Sequence, residues 1–337
     1  MPNMLRSIVS VSLSVVVGNA VGCNGGDGGR EVVFGPGGPF FPPGMFFDQD
    51  VSALPPAPTS AAAIASLRRA GGWGYGDRFH IDFSMEVLRV DGTDHPTRMF
   101  RPTEDFYEPD CDHVEVPVPE DGNVEGEEGY ACDQGGDCHL IVWAPDQHQL
   151  FEMWRAHMSG SRFDGGCLAV WDTSRVYGPT ARGDQCTAAD AAGFPIAPML
   201  FTADEVAAGS IDHAIRFVMP NDRIQDGFVR PATHGTHTTG GADAPHYGFH
   251  LRLRADFPLD QLPSDGARVV ARALQRYGMY HADGGEVVLT AASDRRTTAK
   301  WQGLLDAEDL AMLRVEDFEV IDHGPPIPLT LECVRSD

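Results

Sequence analysis

Glu152 sits in Phe151-Glu152-Met153-Trp154. A carboxyl pressed against aromatic surface loses hydration, and its pKa rises toward general-acid use. A second carboxyl, Asp190 in Thr187-Ala188-Ala189-Asp190-Ala191-Ala192-Gly193, could reach a cleft from a short helical turn. Glycoside hydrolysis uses two such carboxyls, about 5–5.5 Å apart for retention or about 6.5–9.5 Å for inversion. Glu152 and Asp190 are therefore the candidate acid and partner, in either order, with His213 and His234 positioning substrate or tuning a pKa. If the histidines moved the proton, the chemistry would be lyase-type elimination. Each residue has a plainer alternative. Glu152 fits the wet face of a strand, Thr187 and Asp190 fit a helix N-terminus, and His213 fits a satisfied core position.

Asp82, Arg216, His139 and Arg254 are the candidate substrate-binding residues. Asp82 and Glu86 share a strand face with His80 but stand about 13 Å apart, too far to act as a hydrolytic pair. Trp73, Trp143, Trp154 and Trp171 offer rings for stacking on sugars or for filling a core. The densest histidine cluster is His234-Gly235-Thr236-His237, followed by His246 and His250. His234 and His237 are the alternative ligands for zinc or another divalent metal, which needs three or four convergent ligands. His246 and His250 cannot both reach one ion from a regular strand. The first expectation is no cofactor.

The chain has 337 residues, with 25 Lys plus Arg against 49 Asp plus Glu, a formal net charge of −24. A general nucleic-acid binder needs a basic surface, so that class is excluded. The same charge disfavours an anionic glycan unless Arg216, Arg252 and Arg254 make a local basic groove. No G-x-S-x-G, H-E-x-x-H, phosphate-binding loop or dinucleotide fingerprint occurs, which sets aside those hydrolase, NTPase and oxidoreductase classes.

The elements that must position these groups are mainly strands. Phe79 to Val87 alternates, with Phe, Ile, Phe, Met and Val on one face. His139–Trp143, His213–Met219 and Glu286–Thr290 read as further strands. Tyr247 to Arg254 alternates cleanly, with His250, Arg252 and Arg254 on the polar face. Helices are few: Ser60–Arg69, one opened by the Thr202/Glu205 capping box and closed by Gly209, Ser264–Tyr277, and Asp306–Leu313. The 38 Gly and 25 Pro, about 19% of the chain, punctuate short strands without reaching low complexity. The pattern predicts a mainly β fold, a β-sandwich or jelly roll with a few short helices.

Residues 1–22 resemble a bacterial secretion signal, with Arg6 before the apolar Ile8–Val17 stretch. Ala20-Val21-Gly22-Cys23 resembles a lipobox, which implies lipidation at Cys23. The apolar run is shorter than the roughly 20 residues that span a bilayer. Residues 23–58 are rich in Gly and Pro and read as a tether, although Phe34, Phe40, Phe41, Phe46 and Phe47 are unusual in a spacer. Residues 59–337 read as one domain. Of the seven cysteines, Cys23 goes to the lipid. Cys111, Cys132, Cys138, Cys167, Cys186 and Cys333 remain as disulfide candidates in an oxidising compartment. Proximity in sequence favours Cys132–Cys138 and Cys167–Cys186, leaving Cys111–Cys333, among the other possible connectivities.

An ordered series of segments runs along the body: His139-Leu140-Ile141-Val142, Leu150-Phe151-Glu152-Met153-Trp154, Thr187 to Ile196, His213-Ala214-Ile215-Arg216-Phe217, Pro231-Ala232-Thr233-His234 and Arg276-Tyr277-Gly278-Met279. It resembles a family of secreted bacterial proteins that has no settled activity, so the resemblance implies export but assigns no residue roles. The combined expectation is a lipid-anchored protein of the bacterial cell envelope acting on extracellular polysaccharide or glycan. Its membrane contact would be through the lipid alone, without nucleic-acid partners. The alternatives are a non-catalytic carbohydrate- or partner-binding surface protein, or a metal-dependent hydrolase using His234 and His237.

Overall fold

Ten strands carry the architecture: β1 Ile81–Met85, β2 Val87–Arg89, β3 Leu140–Ala144, β4 Gln149–Trp154, β5 Cys167–Asp172, β6 Ile215–Met219, β7 His250–Leu253, β8 Met279–Gly284, β9 Leu289–Ala292 and β10 Phe318–Ile321. The structure is a computed structural model describing residues 39–93, 95–103, 109–134 and 136–336. The segment that resembles a lipobox, with Cys23, lies outside the described residues. The fold is mainly β, with a few short helices, as the alternation predicts. Among the described residues, no helix is long and apolar enough to cross a membrane.

One sheet has six strands in the order β1-β9-β6-β8-β7-β10. Its pairing is mixed: β1 runs parallel to β9 and β6 to β8, while β7 is antiparallel to both β8 and β10. A second sheet has the order β5-β4-β3-β2. Strand alternation gives this sheet two buried faces. Ile141, Trp143, Leu150, Ala169 and Trp171 join the same core as the six-stranded sheet. Leu140, Val142, Phe151, Met153 and Leu168 point the other way into a smaller core, closed by Phe100, Val116, Val118 and Val124. The two sheets thus share a core in the layered manner of a sandwich.

Helix ends follow local chemistry. α1 is Ser60–Arg69, α2 is Ala203–Ala208 and α3 is Asp265–Arg276. Thr202 Oγ1 accepts the Glu205 N–H at 3.2 Å, and Glu205 Oε2 accepts the Thr202 N–H at 2.8 Å, closing the capping box. Ser264 Oγ caps α3 by accepting the Ala267 N–H at 3.1 Å. The expected helix at Asp306–Leu313 is instead a run of turns. Its backbone is committed elsewhere: the Ile81 N–H takes Ala307 O at 3.0 Å and Trp73 Nε1 takes Leu313 O at 2.9 Å.

Two other expectations change. The described part of the Gly/Pro-rich segment, from Pro39 on, is not a free tether. Phe40, Phe41, Met45 and Phe47 are core residues. The segment is also stitched by backbone bonds from Ala214 N to Phe47 O, 2.7 Å, and from Ala57 N to Val320 O, 2.7 Å. Aromatic burial explains why a spacer-like composition packs: each ring removes apolar area from water, worth roughly 1.5–3 kcal/mol. The disulfides are Cys111–Cys167, Cys132–Cys138 and Cys186–Cys333. Only the Cys132–Cys138 expectation holds, and Cys167–Cys186 and Cys111–Cys333 are corrected. The reason is pairing between distant segments. The Asp112 N–H bonds Leu168 O at 2.7 Å, setting Cys111 against Cys167. Gly183-Asp184 pairs antiparallel with Val334-Arg335, setting Cys186 against Cys333.

Candidate functional site

A row of side chains crosses the inner face of the six-stranded sheet. Asp82 on β1 is paired with Thr290 on β9. The antiparallel contact of Phe217 with Leu289 then brings Arg216 on β6 opposite Thr290. Arg216 Nη1 donates to Thr290 Oγ1 at 2.9 Å. Its Nε and Nη2 donate to Asp190 Oδ2 at 3.2 and 3.0 Å. The other Asp190 oxygen accepts the Ala192 N–H at 3.0 Å. Asp283, at the end of β8, accepts the Gly284 and Ala191 N–H groups. The Arg216 guanidinium therefore pairs with the buried Asp190 carboxylate and pulls electrostatically on the half-buried Asp283. Burial raises the pKa of both, against the pull of the Arg216 charge.

His139, just before β3, extends this seam. Its Nδ1 is 2.7 Å from Glu125 Oε2 and its Nε2 is 3.3 Å from Ala189 O. A carbonyl and a carboxylate both accept, so both ring nitrogens carry protons and His139 is an imidazolium. Burial opposes that charge, but Glu125 outweighs it and raises the pKa to about 9. Glu125 in turn is pushed up by burial and pulled further down by His139, to about 2. Ser84 Oγ lies 2.7 Å from Asp82 Oδ2 and 3.0 Å from Glu125 Oε1. The Ser84 hydroxyl thus stands between two carboxyls as their shared donor, and burial raises the Asp82 pKa against the Ser84 hydrogen bonds, with Glu125 adding to the rise. The set is no nucleophilic triad, because Ser84 meets the carboxylate and not the imidazole.

Glu152 sits on the facing sheet, wholly buried. Its Oε1 accepts the Ile196 and Ala197 N–H groups, each at 2.8 Å, and its Oε2 accepts Trp171 Nε1 at 2.9 Å. Burial outweighs these donors and moves its pKa to about 7. Glu152 and Asp190 are both fully enclosed, so they form no open hydrolytic pair. Glu152 clamps the 196–197 loop to β4 and β5, and Asp190 anchors its own loop to Arg216.

The remaining expected residues disperse. His213 donates to Ala214 O and meets Glu205 at 3.2 Å, joining the α2 capping box to the start of β6. His234 is buried, with Nδ1 3.0 Å from Ala191 O. His237 is exposed, and among the described residues neither belongs to a cluster of three metal-ligating side chains. Arg254 is paired with Asp256 on the surface at 2.9 Å. Arg252 is buried against Glu319 and Val51 O. The basic groove of Arg216, Arg252 and Arg254 therefore does not form. Trp73, Trp143 and Trp171 are core residues. Glu127 lies close to the sulfurs of Cys132 and Cys138, but those sulfurs are bonded to each other and Glu127 Oε1 takes the Asp133 and Gln134 N–H groups.

Asp82, His139, Asp190 and Arg216 are thus brought together, with Glu125, Ser84, Thr290 and Asp283 as partners not foreseen. Asp283 carried a signal, lying four residues after Met279 in the strand beside Arg216. Glu125 carried none, being one acid in an acidic run.

Open to solvent, a pocket of about 560 Å³ lies between Gln147, Gln149, Asp172, Ser174, Tyr177 and Arg335. Tyr177 is half-buried, and its hydroxyl takes the Asp172 N–H at 2.8 Å. Comparison with protein-family models, with curated proteins and with solved structures finds no match.

Proposed function

We propose that this is a non-catalytic, exported binding protein of the bacterial cell envelope, anchored by lipid at Cys23, whose ligand is carbohydrate. The observation that carries the non-catalytic part is the enclosure of Glu152 and Asp190, whose oxygens are all taken by protein donors. Substrate would have to displace core to reach them. Three disulfides support an oxidising compartment.

The pocket between Gln147 and Arg335 supports the ligand class. Its volume of about 560 Å³ suits one or two sugar rings. Each sugar hydroxyl both donates and accepts. The lining matches this with two amides, a serine hydroxyl, the Asp172 carboxylate, the half-buried Tyr177 ring and three guanidinium groups, of which those of Arg182 and Arg335 also pair with Asp112.

The test is calorimetry on a glycan panel, together with assay of released reducing ends. The expected result is saturable binding of at least one glycan without turnover, weakened at least tenfold by Gln149→Ala and unchanged by Glu152→Gln. Reducing ends that disappear in Glu152→Gln or Asp190→Asn would restore the catalytic reading. No affinity for any glycan would remove the ligand class.

A further inference from the structure

At the β10 edge of the six-stranded sheet, a cavity of about 540 Å³ is walled by apolar groups including Ala62, Val229, Phe249 and Pro325. Its ring-bearing polar residues are His246 and His323, and its charged ones are Asp243 and Asp322. No Lys or Arg is among its lining residues.

The proton positions on His323 follow from what it touches. His250, fully buried on β7, has Nε2 2.7 Å from Tyr277 O. A carbonyl only accepts, so this nitrogen carries the proton. Burial and the neighbouring His323 keep the ring neutral, which leaves Nδ1 as an acceptor. His323 Nε2 is 2.9 Å from that atom and must donate. His323 Nδ1 is then a free acceptor. His246 Nδ1 is 2.7 Å from Asp226 O, so that nitrogen carries a proton.

We propose that this cavity is a receptor for a small organic ammonium ion, its N–H groups taken by His323 and Asp322 and its hydrocarbon part lying on the apolar wall. The His323 lone pair and the carboxylates of the lining accept, so a cation rich in donors is the complementary guest. Asp243 contributes less, because Arg69 already pairs with it at 3.2 Å, whereas Asp322 has one oxygen, Oδ1, accepting the Gly324 N–H at 2.8 Å and offers Oδ2. A metal ion fits less well. It needs three or four convergent ligands, and among the described residues no such group of side chains gathers in this cavity. The inference is independent of the carbohydrate pocket, which shares none of these residues.

The experiment titrates the full disulfide-bonded chain at neutral pH with phenethylammonium chloride, its neutral N-acetyl derivative, and zinc chloride. Expected are one saturable site for the ammonium ion and at least tenfold weaker binding of the neutral derivative. Asp322→Asn and His323→Ala should each lose at least tenfold, while Asp256→Asn, an exposed carboxylate outside the lining, should bind as the parent does. Equal binding of the neutral derivative, parent-like binding by Asp322→Asn, or zinc binding without ammonium binding would each overturn the proposal. Should His323→Ala fail to fold, Asp322→Asn decides. Long-range nitrogen NMR that puts the His323 proton on Nδ1 would overturn its premise directly.

Discussion

Single side chains here behave according to what they are packed against. Glu125 and His139 form the clearest case, because each moves the other's pKa. His139 rises from 6.5 to about 9, so its contribution to stability is complete below pH 6.5 and is lost as pH climbs through 9. Glu125 falls from 4.5 to about 2, so its contribution is present above pH 4.5 and is lost as pH drops through 2. Stability measured by urea unfolding should therefore decline between pH 6.5 and 9, and Glu125→Gln should flatten that decline. It will not abolish it, since Glu205 raises His213 in the same direction. An unchanged slope in the variant would show that the pair does not carry this dependence. The sequence identified His139 as a polar residue with a role to play, yet said nothing of Glu125, because an ion pair between residues 14 apart is set by the turn between them.

Elements with local instructions were legible, and those relying on distant partners were not. Thr202 with Glu205, and Ser264 before Ala267, state their helix ends within four residues. The Asp306–Leu313 segment has helical spacing, but Trp73 and β1 claim its carbonyls. The disulfides show the same division. Cys132–Cys138 spans 6 residues and was readable, whereas Cys186–Cys333 spans 147 and depended on strand pairing. Loop-closure entropy ranks their energetic weight the same way. Replacing Cys186 and Cys333 by Ser should cost more stability, about 2–5 kcal/mol, than replacing Cys132 and Cys138. Urea unfolding of the two double variants checks this, and equal losses would mean that strain or residual structure outweighs loop length.

The whole molecule carries 49 acidic against 25 basic residues. Self-repulsion on this scale opposes compaction and is screened by salt. Raising NaCl from about 10 mM to about 200 mM, where the screening length shortens to under 10 Å, should raise the thermal midpoint. A fall would mean that surface ion pairs such as Arg314–Asp77 and Arg276–Asp50 contribute more than exposed pairs ordinarily do. The acidity also concentrates cations near the surface, which favours the ammonium cavity over any anionic guest.

By itself the chain's sequence determined the mainly β class, three helices, the Thr202/Glu205 capping box of one of them, and an even set of six cysteines once Cys23 is assigned elsewhere. These rest on periodicity, local hydrogen bonding and parity, all readable over short windows. Only the tertiary structure decided that Glu152 and Asp190 are enclosed, that Phe40, Phe41, Met45 and Phe47 join the core, and which cysteines pair. Burial belongs to whatever covers a side chain, and the covering segments lie tens to hundreds of residues away. The same carboxylate spelled in one window can therefore end as an open acid or as a clamp on a loop.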